Sequence, residues 1–377
     1  MIFQNSNKDK LPDSKEMGRI LTMMQNKMPV QHLMPFERIV GDEDFYILTR
    51  LSNGRFSIKP NITHQGLLYY GNSNFDSVKE RLQPNYYKPI QNESVIGHDE
   101  FMEYNVLIEQ FKMLVESFPL YKLLNEGIEV DKRLTIRVGN PYALASAYRL
   151  KAPYMNLTSD IDVAMFYATH KYDESNGTFT PADEGTIGVV YTYELSLPFG
   201  LTPGLSTLGK QVFPRTFDNK QFLLGMSMND DFNKNKMVNG FTFRQTSSGS
   251  KYYGEMFNHG EILIPHDDFL MKKWKKYDKQ VFREAIISNL KKNPKDDITT
   301  NENILKSKQY EIVEGKPRFL KEDLADVDML DIWDTICDDL VAGGTVRFNG
   351  DIDDFLSQVP NMDRYKSYFN MNLYYER

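Results

Sequence analysis

The sequence predicts an α+β protein: a mixed, mainly antiparallel sheet core with inserted helices, followed by a helical C-terminal unit. Three observations carry this. Strand-like runs gather in two groups, one early and one late, with long helical patterns inserted between them instead of the regular alternation of a doubly wound sheet. At 377 residues the chain is long enough for a large core and an appendage. Its 24 Phe and 22 Tyr supply the bulk to fill that core. The expected organisation is an N-terminal extension over 1–40, an α+β core over 41–270, a basic amphipathic helix over 271–292, and a linker with an acidic, mostly helical unit over 293–377.

A methionine-rich helix is expected from Ser14 to Met28. Strands follow at Asp44–Leu51, Arg55–Lys59 and Leu67–Tyr70, separated by Asn53-Gly54 and by the segment from Pro60 to Gly66. A long helical pattern covers Asp99 to Asn125, with Phe101, Val106, Phe111 and Leu114 among its apolar positions, and a second helix covers Tyr142 to Arg149. Later strands are read at Thr186–Leu195, Gln221–Met226 and Glu261–Ile264. Leu270–Leu290 then has Trp274, Tyr277, Val281 and Ala285 on one side and Lys272, Lys275, Lys276 and Lys279 on the other, as in a surface helix. Asn293–Gln309 is polar and reads as a linker.

The segment with most chemistry is Tyr154–Ala168. Tyr154, Met155 and Leu157 suit a strand, and Ser159 with Asp162 three places on forms a start signal resembling a capping box. Ile161, Ala164, Met165 and Ala168 recur at helical spacing. The segment reads either as an ordinary capped connection or as a site: Asn156, Thr158 and Ser159 bring hydroxyls to a helix N-terminus, where free N–H groups can hold a polar or anionic ligand.

Composition narrows the function classes. A net charge of −7 argues against whole-protein attraction to nucleic acid. The charge is unevenly spread, with basic residues crowded between Lys272 and Lys295 and acids between Glu322 and Asp354, so these segments could pair with each other or with outside partners. A lone Cys337 rules out an intramolecular disulfide. With no apolar leader and no run of membrane-spanning length, a cytoplasmic protein away from the membrane is expected. Gly204–Lys210 has phosphate-loop spacing, but Gln211 follows where a hydroxyl is needed, and prolines surround it. The six histidines form no helical pair; His259, Glu261, His266, Asp267 and Asp268 are close in sequence but flank an expected strand, so no metal is expected. No G-x-S-x-G elbow supports hydrolase chemistry.

Three segments look like parts of one site: Leu67–Phe75 with Tyr70, Gly71 and Ser73, the turn with Asn156, Thr158 and Ser159, and His259-Gly260-Glu261 before Ile262–Pro265. Their order resembles the ADP-ribosyltransferase superfamily, in which a polar-Gly strand, a hydroxyl segment and a late Glu bind and cleave NAD. The closer resemblance is to the FRG domain family, carried over about Leu67–Met226. It rests on Tyr69-Tyr70-Gly71-Asn72-Ser73, Ala145-Ser146-Ala147-Tyr148-Arg149, Met155-Asn156-Leu157-Thr158, Ala164-Met165-Phe166-Tyr167-Ala168, Arg215 and Gln221-Phe222-Leu223-Leu224.

The chain departs from that family's pattern. Tyr70 stands for Arg, Ser146 and Ala147 for Gln and His, Arg149 for Gly, and Asn156 for Asp. The resemblance implies NAD as substrate, with Tyr70, Gly71, Ser73, Asn156, Thr158 and Ser159 binding it and Glu261 as the catalytic carboxylate. The departures equally admit a non-catalytic interaction protein on the same fold, with a small-molecule dinucleotide or a protein as partner.

Overall fold

A computed structural model describes residues 11–28, 38–40, 46–50, 56–60, 66–79, 81–87, 95–130, 134–136, 141–195, 204–208, 212–216, 220–266, 268–294, 297–334 and 346–372. Cys337, Lys210, Gln211, Asp267 and the strand start at Asp44 lie outside the described residues.

Helix α1 (Ser14–Gln25) begins at an Asp13 cap whose carboxylate accepts from the Glu16 N–H. Strands β1 (Arg38–Val40), β2 (Tyr46–Arg50) and β3 (Phe56–Pro60) pair antiparallel, and β4 (Leu67–Asn72) begins the main sheet. After α2 (Val95–Glu116) and α3 (Pro119–Glu126), short strands β5 (Ile128–Val130) and β6 (Leu134–Ile136) lead to α4 (Pro141–Ala147). Strand β7 (Tyr154–Thr158) feeds α5 (Ile161–Thr169), which runs directly into the hairpin of β8 (His170–Asp173) and β9 (Thr178–Pro181). Then come β10 (Ile187–Glu194), β11 (Leu205–Thr207), β12 (Gln221–Gly225), β13 (Val238–Arg244) and α6 (Ser247–Met256). The remainder holds α7 (Phe269–Lys275), β14 (Gln280–Phe282), α8 (Arg283–Lys292), α9 (Ile298–Ser307), β15 (Glu311–Val313), β16 (Val346–Phe348) and two helices, Ile352–Gln358 and Met362–Asn372.

The fold is α+β, as the grouping of strands predicts. Its main sheet has six strands in the order β11-β12-β7-β4-β10-β13, every neighbouring pair antiparallel. A second six-stranded sheet, β1-β2-β3-β6-β5-β16, contains one parallel pair, β3 with β6. The two-residue period of the main strands sorts side chains onto two faces. Leu68, Leu157, Val189, Tyr191 and Phe222 join the apolar cluster on one face. Tyr69 and Val190 meet α1, α5 and α6 on the other, where Met17, Phe166 and Tyr253 complete a second cluster. The largest cluster joins Phe111, Phe118 and Tyr148 to Phe319, Leu330, Trp333, Phe355 and Tyr365, so residues of the 293–377 segment share one apolar core with α2, α3 and α4.

Several expected elements differ from those observed. The cap of α5 is Asp160, not Ser159: its carboxylate accepts from Asp162 N and Val163 N. The basic stretch 271–292 is not one helix. Lys279 has a left-handed φ of +69°, and the chain turns there because Trp274 and Tyr277 are drawn to the core around Phe111, whereas Val281 and Ala285 pack with Val106 and Leu305. The polar 293–309 stretch contains α9, capped by Asp297. Glu261–Ile264 is no strand. A single 3-10 turn, Asn258–Gly260, precedes it, and Leu263 N and Ile264 N both donate to Gly260 O, which satisfies the backbone without a sheet partner.

Much of the basic segment's charge is answered within the chain. Lys273 and Lys276 both bind Asp323, at 2.6 and 2.9 Å, and Arg283 binds Glu302 and Glu314. Among the described residues no helix is long and apolar enough to cross a membrane.

Candidate functional site

The main sheet opens between its two central strands. Strands β4 and β7 are neighbours, yet their pairing consists of Tyr69 opposite Thr158. An antiparallel register continued from there would set Tyr70 opposite Leu157, Gly71 opposite Asn156 and Asn72 opposite Met155. The strands diverge instead, and a half-open cavity of about 370 Å³ lies along the gap, lined by all six of these residues. Main-chain groups on the facing sides of the two strands are thereby turned toward the cavity instead of toward each other.

Helix α5 lies directly over β4 beside this opening. A Cβ on Gly71 would fall well inside contact distance of the Ala164 carbonyl oxygen and 2.9 Å from Ala168 N, so only glycine lets the helix backbone settle on β4. Gly188 on β10 meets the same helix at Ala168 O. The helix is thus seated over β4 and β10, and its Val163, Ala164 and Tyr167 form one wall of the cavity.

On the first strand, the Tyr70 ring packs against Tyr191 and Phe232, with centroids 6.2 and 6.5 Å away, and its hydroxyl accepts a long 3.4 Å bond from Asn72 Nδ2. Burial pushes the Tyr70 phenol above its usual pKa, so it remains a neutral hydroxyl. Ser73 follows at the strand end and also lines the cavity.

On β7, Asn156 is tied to α4 at both ends of its amide: Ser146 Oγ donates to Oδ1 at 2.8 Å, and Nδ2 donates to Ser146 O at 3.2 Å. Thr158 Oγ1 accepts from Asp160 N at 3.0 Å and so shapes the turn into α5. Ser159 is buried, its N–H donating to Lys220 O, and it lies outside the cavity lining.

The hairpin β8–β9 forms the outer wall with His170, Lys171, Tyr172, Glu174 and Phe179. His170 stacks on Phe166 with centroids 4.4 Å apart, and burial lowers its pKa, favouring the neutral ring. Lys171 is paired with Asp183. Opposite, the end of α4 contributes Ala147, Arg149 and Lys151. The Arg149 guanidinium lies 3.7 Å from the Tyr172 ring centroid and 5.7 Å from that of Phe179, and it bonds the Tyr167 hydroxyl. Behind this wall the buried Arg215 binds Asp268 at 2.9 Å and lies over Tyr148, while Asp268 caps α7. Arg215 therefore braces the wall without lining it.

Five of the expected binding residues, Tyr70, Gly71, Ser73, Asn156 and Thr158, line this one cavity. Ser159 and Glu261 do not. Glu261 follows the Asn258–Gly260 turn, whose three residues all have left-handed φ, and its carboxylate accepts from His266 N at 2.6 Å and contacts the His266 ring. Three residues on, Ile264 reaches the cavity lining. Among the described residues no group of three or more His, Cys, Asp or Glu is placed to hold a metal ion.

The hairpin and the Arg149 side chain are not among the site residues expected from the sequence. The hairpin had a signal: Asn176-Gly177 between Tyr172 and Phe179, with Gly177 at φ +75°. No family model, no curated protein and no solved structure matches this chain. Fold and site therefore define its class: an α+β protein with a ligand-sized cleft in an opened antiparallel seam.

Proposed function

We propose that this cleft binds an NAD-type dinucleotide, in a divergent relative of the FRG domain family with ADP-ribosyltransferase-like architecture. The observation that carries this reading is the gap between β4 and β7, where two of the resembling segments, Tyr69–Ser73 and Met155–Thr158, meet at a single cavity. A carboxamide offers N–H donors and a carbonyl acceptor side by side, which suits the main-chain groups exposed along such a gap. Tyr70, Tyr154, Tyr167 and Tyr172 supply aromatic surface for planar rings.

Three departures from the family pattern support a retained framework. Ser146 and Asn156, which stand where the family has Gln and Asp, bond each other across α4 and β7. Arg149, standing where the family has glycine, keeps a left-handed φ of +63°. Cleavage of the nicotinamide–ribose bond needs a carboxylate beside the developing positive charge. Glu174 lines the cavity, and Glu261 sits one turn before its wall residue Ile264.

The contact of Glu261 with His266 favours a second reading, a non-catalytic interaction protein on the same fold. Thermal unfolding with millimolar NAD, together with an assay for nicotinamide release, separates the two. The first reading predicts a raised Tm, and where nicotinamide is released, Glu261→Gln or Glu174→Gln lowers the rate of release by on the order of a hundredfold. An unchanged Tm with no nicotinamide released contradicts it and leaves the interaction protein.

A further inference from the structure

Arg149 holds a conformation that glycine adopts freely and that an arginine adopts against steric resistance. The side chain does not repay this with an ion pair. Its contacts are the rings of Tyr172 and Phe179 and the hydroxyl of Tyr167, and among the described residues no carboxylate lies within ion-pair distance of it. Lys151, two residues on, is in the same situation: its ammonium lies 5.1 Å from the Tyr104 ring centroid and 3.5 Å from that hydroxyl. Other cations nearby are neutralised, Lys171 by Asp183 and Lys220 by Asp160. The rim of the cleft thus carries two cations not committed to any acid of the described chain.

We infer that Arg149 and Lys151 recognise the diphosphate of the ligand, so that the cleft takes a diphosphate-bearing nucleotide and not a nucleoside. This rests on the cleft being the dinucleotide site proposed above. Stacking on Tyr172 fixes the plane of the guanidinium and leaves N–H groups on its edge to meet phosphate oxygens two at a time, while Lys151 adds a point charge beside it. The left-handed backbone matters because it turns the side chain at the end of α4 across to the hairpin, along the mouth of the cavity. The hairpin then has a double part: its rings orient the cation, and its strands close the outer wall.

Calorimetric titration of the full chain with NAD, ADP-ribose, nicotinamide riboside and inorganic pyrophosphate tests this. Losing a charge-assisted phosphate contact weakens binding by about ten- to a hundredfold, so Arg149→Met is expected to weaken ADP-ribose by that factor and leave nicotinamide riboside unchanged. Lys151→Met is expected to act in the same direction. Arg149→Gly removes the cation and relaxes the backbone, so it is expected to lose the same affinity with a Tm no lower than that of the unsubstituted chain. Unchanged ADP-ribose affinity in both Arg149 variants overturns the inference. So does an equal loss for nicotinamide riboside, which would mark Arg149 as a mere prop for the hairpin. Should the three nucleotide-type ligands fail to bind while pyrophosphate binds in an Arg149-dependent way, the dinucleotide reading falls and the phosphate site stands. Silence from all four overturns both.

Discussion

Gly71 illustrates how one residue can serve packing and site together. It lines the cleft, and it is also the point where the α5 backbone comes down on β4. Gly71→Ala is expected to destabilise the protein by about 3 kcal/mol, since a Cβ there meets fixed backbone that cannot yield as a flexible side chain would. The denaturation midpoint measures this, and an unchanged midpoint would mean that α5 does not sit as described. Nothing in the residues around Gly71 announces that a helix lies across it. The same holds for Asn156, whose amide is consumed by Ser146 ten residues earlier. Sequence identifies such positions as polar or small, and only the packing says which partner they meet.

At the scale of elements, the segments with an unambiguous period were legible. The strand Tyr154–Thr158, the helix from Ile161, and the strands around Ile187–Glu194 and Gln221–Gly225 all stand close to where their patterns set them. What failed has physical causes. Glu261–Ile264 is short and apolar, which suits a strand or a buried turn equally, and the left-handed residues Asn258, His259 and Gly260 decide for the turn. The stretch after Leu270 has a helical stripe, but its apolar residues belong to two different cores, so the helix breaks.

The tie between α2 and α8 gives a pH-dependent prediction. Burial would raise the Glu109 carboxyl, but hydrogen bonds from Lys292, Ser288 and Tyr142 outweigh it and hold the group below its ordinary value. A carboxyl depressed in the folded state contributes stability that is present above the unfolded pKa, about 4.3, and is lost as pH falls through the folded value. The Tm gap between the native chain and Glu109→Gln should therefore be widest near neutrality and shrink below about pH 4. A gap constant across that range would contradict this account of the tie.

Across the whole molecule, the cleft belongs to the architecture and not to a surface loop. It opens where the centre of the main sheet parts, between the Leu68–Tyr191 cluster on one face and the helices α4 and α5 on the other. Phe319, Leu330, Trp333, Phe355 and Tyr365 are built into the core that holds α4, so this acidic part of the chain helps to fix the wall that carries Arg149. The basic and acidic segments meet through Lys273, Lys276 and Asp323, which turns an apparent charge imbalance in sequence into an internal contact.

Hydrogen–deuterium exchange on the full chain with and without saturating NAD tests the opened seam as a ligand site most directly. The account predicts slowed exchange in peptides covering Tyr70–Asn72 and Met155–Thr158, because a ligand in the gap takes up main-chain groups that the two strands leave to it. Unchanged exchange in both peptides, under conditions where NAD is shown to bind, would contradict it.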